Sequence, residues 1–232
     1  MIVQIAYTNS KCSDIWEMFI KENQKHTKMP LYIISDKQPE IKHDGTIIYQ
    51  GDEPYYKTWI DAAEKFGNDY FIYLQEDFVL YNDVNEDKIN EYVEFLKNHP
   101  GYSFIRLLKV VSFYNKRLLS TLYEVESSNE NVFAMQPTIW KTVDYIKLIN
   151  LVQSKIWYDE GSYKNKMINL NMMGAYHYDG ERKIGRSHYD SNVYPYIATA
   201  LVKGKWNMGE YGIELNKLIK EYNIDVNKRG II

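Results

Sequence analysis

Hydrophobic and polar positions along this chain switch repeatedly between a period of two and a period near 3.6. Residues 2 to 7 are β-prone and alternate, which predicts a first strand. The segment SDIWEMFIKEN follows, with Ser13 or Asp14 as N-cap and Ile15, Met18 and Phe19 at helical spacing. LYIISD (31–36) and GTIIYQG (45–51) read as short strands, the second bracketed by glycines. EPYYKTWIDAAEKFG reads as a helix with Pro54 near its start, Gly67 past its end, and Tyr56, Trp59, Ile60 and Ala63 on one face. A further strand runs through 70–80. EDKINEYVEFLKNHPG then predicts a helix burying Ile89, Tyr92, Val93 and Leu96, and YSFIRLLKV a strand.

The first 110 residues thus alternate β and α with short connections, the pattern of a mainly parallel sheet covered by helices. The second half is less regular. Residues 110–136 suggest a strand pair with a polar turn near 127–131, TIWKTVDYIKLINLV is helical, and 169–191 reads as loop and short strands. MGEYGIELNKLIKEYNI closes with a helix carrying Leu215, Leu218, Ile219 and Tyr222. With no repeat, low-complexity stretch or long linker, one domain over 1–232 is the simplest organisation.

The stretch YFIYLQEDFVLYND interrupts this regularity. Two adjacent acids, Glu76 and Asp77, follow Gln75 between two apolar runs. Either the strand ends at Leu74 and a solvated turn follows, or the acids stand at the carboxyl end of a central strand. Open α/β sheets bind ligands at such ends. Acids there can hold a hard divalent cation, which in turn holds phosphates. Burying them unpaired would cost several kcal/mol.

Composition narrows the alternatives. A net charge of -3 gives no bulk electrostatic case for nucleic acid or an anionic membrane. No run of about 18 apolar residues predicts a transmembrane helix, and the N-terminus reads as a strand, not a signal peptide. The single cysteine, Cys12, excludes an intrachain disulfide and fits a reducing cytoplasm. The 22 tyrosines fall in a composition also rich in Lys, Asn and Ile, so they reflect bias as much as function. No G-x-G-x-x-G, G-x-x-x-x-G-K-[ST] or G-x-S-x-G motif is present.

YFIYLQEDF resembles the Asp-x-Asp-like motif that follows a hydrophobic strand in nucleotide-sugar-dependent glycosyltransferases of the GT-A fold. The resemblance implies a single Rossmann-like α/β domain with a mainly parallel central sheet flanked by helices. Residues 1–110 would be the nucleotide-sugar-binding half and 111–232 the acceptor-binding half. Gln75 replaces the first Asp of the motif; Asp77 falls on the second, the usual Mn²⁺ or Mg²⁺ ligand, with Glu76 beside it. The replacement also leaves a metal-independent enzyme open. The strand-end segment Tyr7 to Ser10, with Thr8 and Asn9, and Asp36 lie where such enzymes hold the nucleoside. Lys57 could approach the diphosphate or face solvent.

Two further segments fit the same resemblance. WYDE implies an acceptor site: Asp159 or Glu160 as general base, with Trp157 and Tyr158 stacking on a sugar. A base there would make the transfer inverting. In HYDGERKIGRSHYDSN, Arg182, Lys183 and Arg186 would neutralise a leaving diphosphate and His188 would join the metal. Trp206 would contact an acceptor or anchor the last helix. The expected partners are a nucleoside diphosphate sugar and a glycan acceptor. The enzyme would work in the cytoplasm, free or at a membrane surface. Two rival readings are a sugar nucleotidyltransferase, which usually carries a Gly-rich loop where YTNSKCSD stands, and a non-catalytic glycan-binding protein on the same scaffold.

Overall fold

The computed structural model describes residues 2–37, 47–110, 116–125, 132–153, 160–185 and 187–232. The elements, in order, are β1 Val3–Thr8, α1 Ser13–His26, β2 Leu31–Ser35, β3 Ile47–Tyr49, α2 Tyr55–Phe66, β4 Tyr70–Gln75, β5 Val79–Leu80, α3 Glu86–Asn98, β6 Tyr102–Arg106 and β7 Leu122–Val125. Then come β8 Thr138–Lys141, α4 Thr142–Val152, α5 Glu160–Asn169, β9 Met173–His177, β10 Lys183–Ile184, β11 His188–Tyr189, β12 Tyr196–Ile197, β13 Leu201–Val202, β14 Lys205–Trp206 and α6 Gly212–Glu221.

Eight strands form one sheet in the order β3-β2-β1-β4-β8-β6-β9-β7. β3, β2, β1 and β4 run parallel, as do β6 and β9; β8 is antiparallel to β4 and β6, and β7 to β9. The mainly parallel α/β sheet flanked by helices is therefore as the sequence pattern predicts. Side-chain parity assigns the layers. Tyr7 of β1 meets Tyr55 of α2, and Trp59 of α2 stacks on Tyr73 at 4.9 Å and meets Tyr145 of α4 edge-on. On the opposite face Gln4 exchanges amide hydrogen bonds with Asn23 of α1, and Tyr92 of α3 bonds His177 of β9. A bulge between Tyr102 and Phe104 turns Tyr102 toward Phe95 of α3 while Phe104 packs on Trp140.

The structure corrects the sequence reading in four places. Neither Ser13 nor Asp14 caps α1: a 3₁₀ turn, Ser10–Cys12, precedes it, and the Asn9 side chain caps that turn by accepting from the Lys11 amide. The buried face of α2 is Tyr55, Thr58, Trp59, Ala62 and Ala63, with Tyr56 and Ile60 half-buried. The apolar run from 138 is not all helix. Its first four residues are β8, buried between β4 and β6, and α4 starts where Thr142 Oγ1 donates to the Gly67 carbonyl. Local periodicity cannot see that pairing. Likewise Met173–His177, within a stretch read as loop and short strands, is a strand inside the main sheet, paired with β6 and β7. The turn expected near 127–131 lies outside the described residues.

β9 fits because Gly174 has no side chain: a Cβ there would sit 2.1 Å from Phe104 Cζ. Phe104 is buried and packed against Trp140, so it has nowhere to retreat. Gly174→Ala is expected to destabilise the fold by about 1–3 kcal/mol through overpacking, read as a lower urea midpoint, and Phe104→Leu in the same chain should recover part of the loss.

Candidate functional site

The acidic pair stands where two short buried segments meet. β4 delivers Gln75 to the carboxyl edge of the sheet, beside Tyr7 of β1 in register. The chain then turns, with the Phe78 amide donating to the Gln75 carbonyl, and resumes as β5, paired antiparallel with β12 outside the main sheet. That pairing explains the second apolar run: Val79 and Leu80 are buried, and Phe78 packs edge-on against Tyr196. Gln75 and Glu76 are each only 8% exposed and Asp77 is half-buried, so the acids are not a solvated turn.

A pocket of about 440 Å³ opens over them. Tyr7, Asn9, Lys11 and Cys12 come from β1 and the following turn, and Gln75, Glu76 and Asp77 from the end of β4. Leu201, Lys203, Gly204 and Arg229 complete its lining. Burial pushes the carboxyls of Glu76 and Asp77 well above the usual range, and the neighbouring Asp77 charge raises Glu76 further. No lysine or arginine among the described residues forms an ion pair with either acid. Glu76 instead accepts from the Asn9 amide at 3.3 Å and from the Cys12 thiol. Burial and the Glu76 charge push that thiol up to about 12, so Cys12 is a protonated, unreactive donor.

The turn after β1 is closed on itself. The Asn9 amide donates to Glu76, the Ser10 amide to Asp36 at 2.6 Å, the Lys11 amide to Asn9 Oδ1 at 3.0 Å, and the Cys12 amide to the Asn9 carbonyl at 2.8 Å. Asp36 therefore positions this turn with both oxygens, the second accepting from Ser10 Oγ at 2.8 Å. Thr8 is buried and donates to the Ile34 carbonyl, tying β1 to β2. Gln75 donates to Tyr73 Oη at 2.9 Å.

Other described residues singled out in the sequence are not among this pocket's lining. Arg182 bridges Asp190 and Glu214, fastening the β10–β11 hairpin to α6. Lys183 is exposed on β10, and Arg186 lies outside the described residues. His188 is buried parallel to Tyr211, its Nε2 3.6 Å from Glu210, and burial lowers its pKa. Among the described residues no three His, Cys, Asp or Glu side chains converge on a common point. Trp206 is fully buried, the anchor and not an acceptor contact, because its backbone pairs with Gly230 and Ile232. Lys57 pairs with Glu53 on an open helix face. Glu160 starts α5, where its carboxylate accepts from the Met135 amide at 2.9 Å. Asp159, Trp157 and Tyr158 lie outside the described residues.

Sequence reasoning missed Lys11, Lys203, Gly204 and Arg229 as pocket residues. LVKGKW does carry a local signal, a two-residue turn between β-prone pairs. Arg229 carries none, since it reaches the pocket only through tertiary folding.

This is the carboxyl-edge site of a Rossmann-like α/β sheet, a fold shared by nucleotidyltransferases and GT-A glycosyltransferases. The solved structures similar to it include both kinds. A cytidylyltransferase from Leptospira borgpetersenii aligns over 100% of this chain and 99% of its own, with a TM-score of 0.50 and 14% identity. The bifunctional IspDF from Campylobacter jejuni has a TM-score of 0.43 and 13% identity over 72% of this chain and 47% of its own. The glycosyltransferase GlyE of Streptococcus pneumoniae has a TM-score of 0.43 and 11% identity over 74% of this chain and 44% of its own. This chain thus spans less than half of the last two proteins. No family model and no curated protein sequence matches it. Among the described residues no helix is long and apolar enough to cross a membrane.

The raised acids have a measurable consequence. A carboxyl whose folded pKa lies above its unfolded value binds more protons in the folded state. Stability should therefore fall as pH rises from the ordinary carboxylate range into the neutral range. Asp77→Asn is expected to raise the midpoint of thermal unfolding at pH 8, by roughly 2–4 °C per kcal/mol relieved, and to have no such effect at pH 4. Glu76→Gln should follow the same sign, offset by its weaker acceptance from Asn9 and Cys12.

Proposed function

We propose that this protein transfers a sugar from a nucleoside diphosphate sugar to a hydroxyl of a glycan or similar acceptor. The observation that carries the reading is an open charge gap. The carboxylates of buried Glu76 and half-buried Asp77 and two unpaired cations, Lys11 and Lys203, line one pocket without pairing across it, beside Arg229, which pairs with Asp14. A ligand that brings phosphates to the cations and a divalent ion to the acids would complete both sides. Asp77 and Glu76 fit Mn²⁺ or Mg²⁺ in this respect: they are oxygen donors lacking a counter-charge, and Mg²⁺ is commonly held by one or two carboxylates plus substrate phosphates. Such an ion would supply charge neutralisation to the diphosphate.

The chain's own residues do the rest. Asn9 and Tyr7 border the nucleoside, and the Ser10–Asp36 bonds keep that border in place. Glu160, or Asp159 before it, takes the proton of the acceptor hydroxyl as its oxygen attacks C1 of the sugar. The bond from C1 to the diphosphate oxygen breaks with its electrons passing to the leaving group. The Glu160 carboxylate already holds the Met135 amide, which orients it without neutralising it.

A nucleotidyltransferase is the second reading, favoured by the full-length likeness to the cytidylyltransferase fold. The closed turn after β1 weighs against it. Amides 9–12 all have acceptors within the protein, and the turn has no glycine, so it offers no backbone cradle for a triphosphate. The two readings differ in product. Incubated with sugar nucleotides and oligosaccharide acceptors, the protein should release nucleoside diphosphate, and Glu160→Gln should lower kcat by about 10²-fold or more. Release of pyrophosphate from a nucleoside triphosphate and a sugar phosphate would instead establish the second reading.

A further inference from the structure

The β13–β14 hairpin presents a lysine at its tip in an unusual backbone state. The connecting turn is Lys203–Gly204, with φ of 51° and 77°. Two successive residues with positive φ make the tight turn that matches strand twist, and such positions favour Asn, Asp and Gly. Glycine adopts this conformation freely, whereas a long side chain does so at a conformational cost. A lysine kept there points to a use for its charge. Lys203 is exposed, lines the same pocket as the acidic pair, and belongs to no ion pair among the described residues. All three donors of its ammonium group are open to a ligand.

Arg229 explains how the tip is held. Its guanidinium donates from Nε to Asp14 at 2.7 Å, from Nη2 to Asp14 and to the Lys11 carbonyl, and from Nη1 to the Gly204 carbonyl at 3.3 Å. Four of its five N–H groups are thereby used to tie the hairpin tip to the start of α1. Its side chain is only 12% exposed. Arg229 is thus a fixed post whose charge is matched by Asp14, and Lys203, like Lys11, is a cation of this lining with no ion pair among the described residues.

On the reading that this pocket takes a nucleoside diphosphate sugar, we propose that Lys203 is the direct diphosphate contact and Arg229 the residue that positions it. The β13–β14 tip and the segment around Arg229 thereby form the anion-binding wall, a role the sequence pattern gave to the 182–186 loop. Arg182 in that loop is already neutralised by two carboxylates.

Lys203→Asn separates charge from fold, because asparagine accepts the left-handed backbone more readily than lysine. The measurement is isothermal titration calorimetry at low salt with UDP, GDP, CDP and dTDP, each beside its nucleoside, with thermal unfolding in parallel. For the diphosphate that binds wild type, Lys203→Asn should weaken affinity about tenfold or more, leave the nucleoside's affinity unchanged, and leave the thermal midpoint unchanged or higher. Lys183→Asn should change none of these. Unchanged diphosphate affinity in Lys203→Asn would overturn the assignment, as would equal losses for nucleoside and diphosphate. If wild type binds none of the four diphosphates, the functional reading itself falls, and the assignment with it.

Discussion

Two carboxylates in adjacent positions cannot be buried side by side without raising their own protonation energy. Glu76 and Asp77 are held in that state by the backbone on either side of them. β4 is fixed between β1 and β8, and β5 is pinned by β12, so the turn between them cannot swing into solvent. The Asn9 amide and Cys12 thiol ease the burden on Glu76, and no cation among the described residues closes on either acid. The sheet therefore carries a standing electrostatic cost at one point of its carboxyl edge. Groups perturbed in this way cluster at functional sites, which is what singles out this edge as the candidate site.

Much of this frame was legible in the sequence. Periodicity located β1, β2, β4, α2 and α3, and the apolar–acidic–apolar break marked residues that line the candidate pocket, because those signals arise from residues close in the chain. What was lost depends on pairing across distance. β8 looks helical until it is seen between β4 and β6, and β9 looks irregular because its Gly174 serves the Phe104 ring rather than a local turn.

The site divides the same way. The acids, Gln75 and Asn9 lie on segments that local pattern could place at strand ends. The cations could not be placed. Arg182 and Lys203 both sit in polar, glycine-bearing turns, and composition cannot tell which one lines the acids' pocket and which is already paired. Trp206 was ambiguous in the same way: beside a turn it could contact an acceptor or anchor the last helix, and its full burial, with backbone bonds to Gly230 and Ile232, makes it the anchor.

The central claim is that the ligand enters between the acidic pair and the β13–β14 tip. Hydrogen–deuterium exchange with and without a binding nucleoside diphosphate and Mn²⁺ tests it most directly. The account expects slowed exchange in residues 7–12, 75–78 and 201–206 and around Arg229, with 178–190 unchanged. Protection confined to the 178–190 hairpin, with none at 75–78 or 201–206, would contradict it.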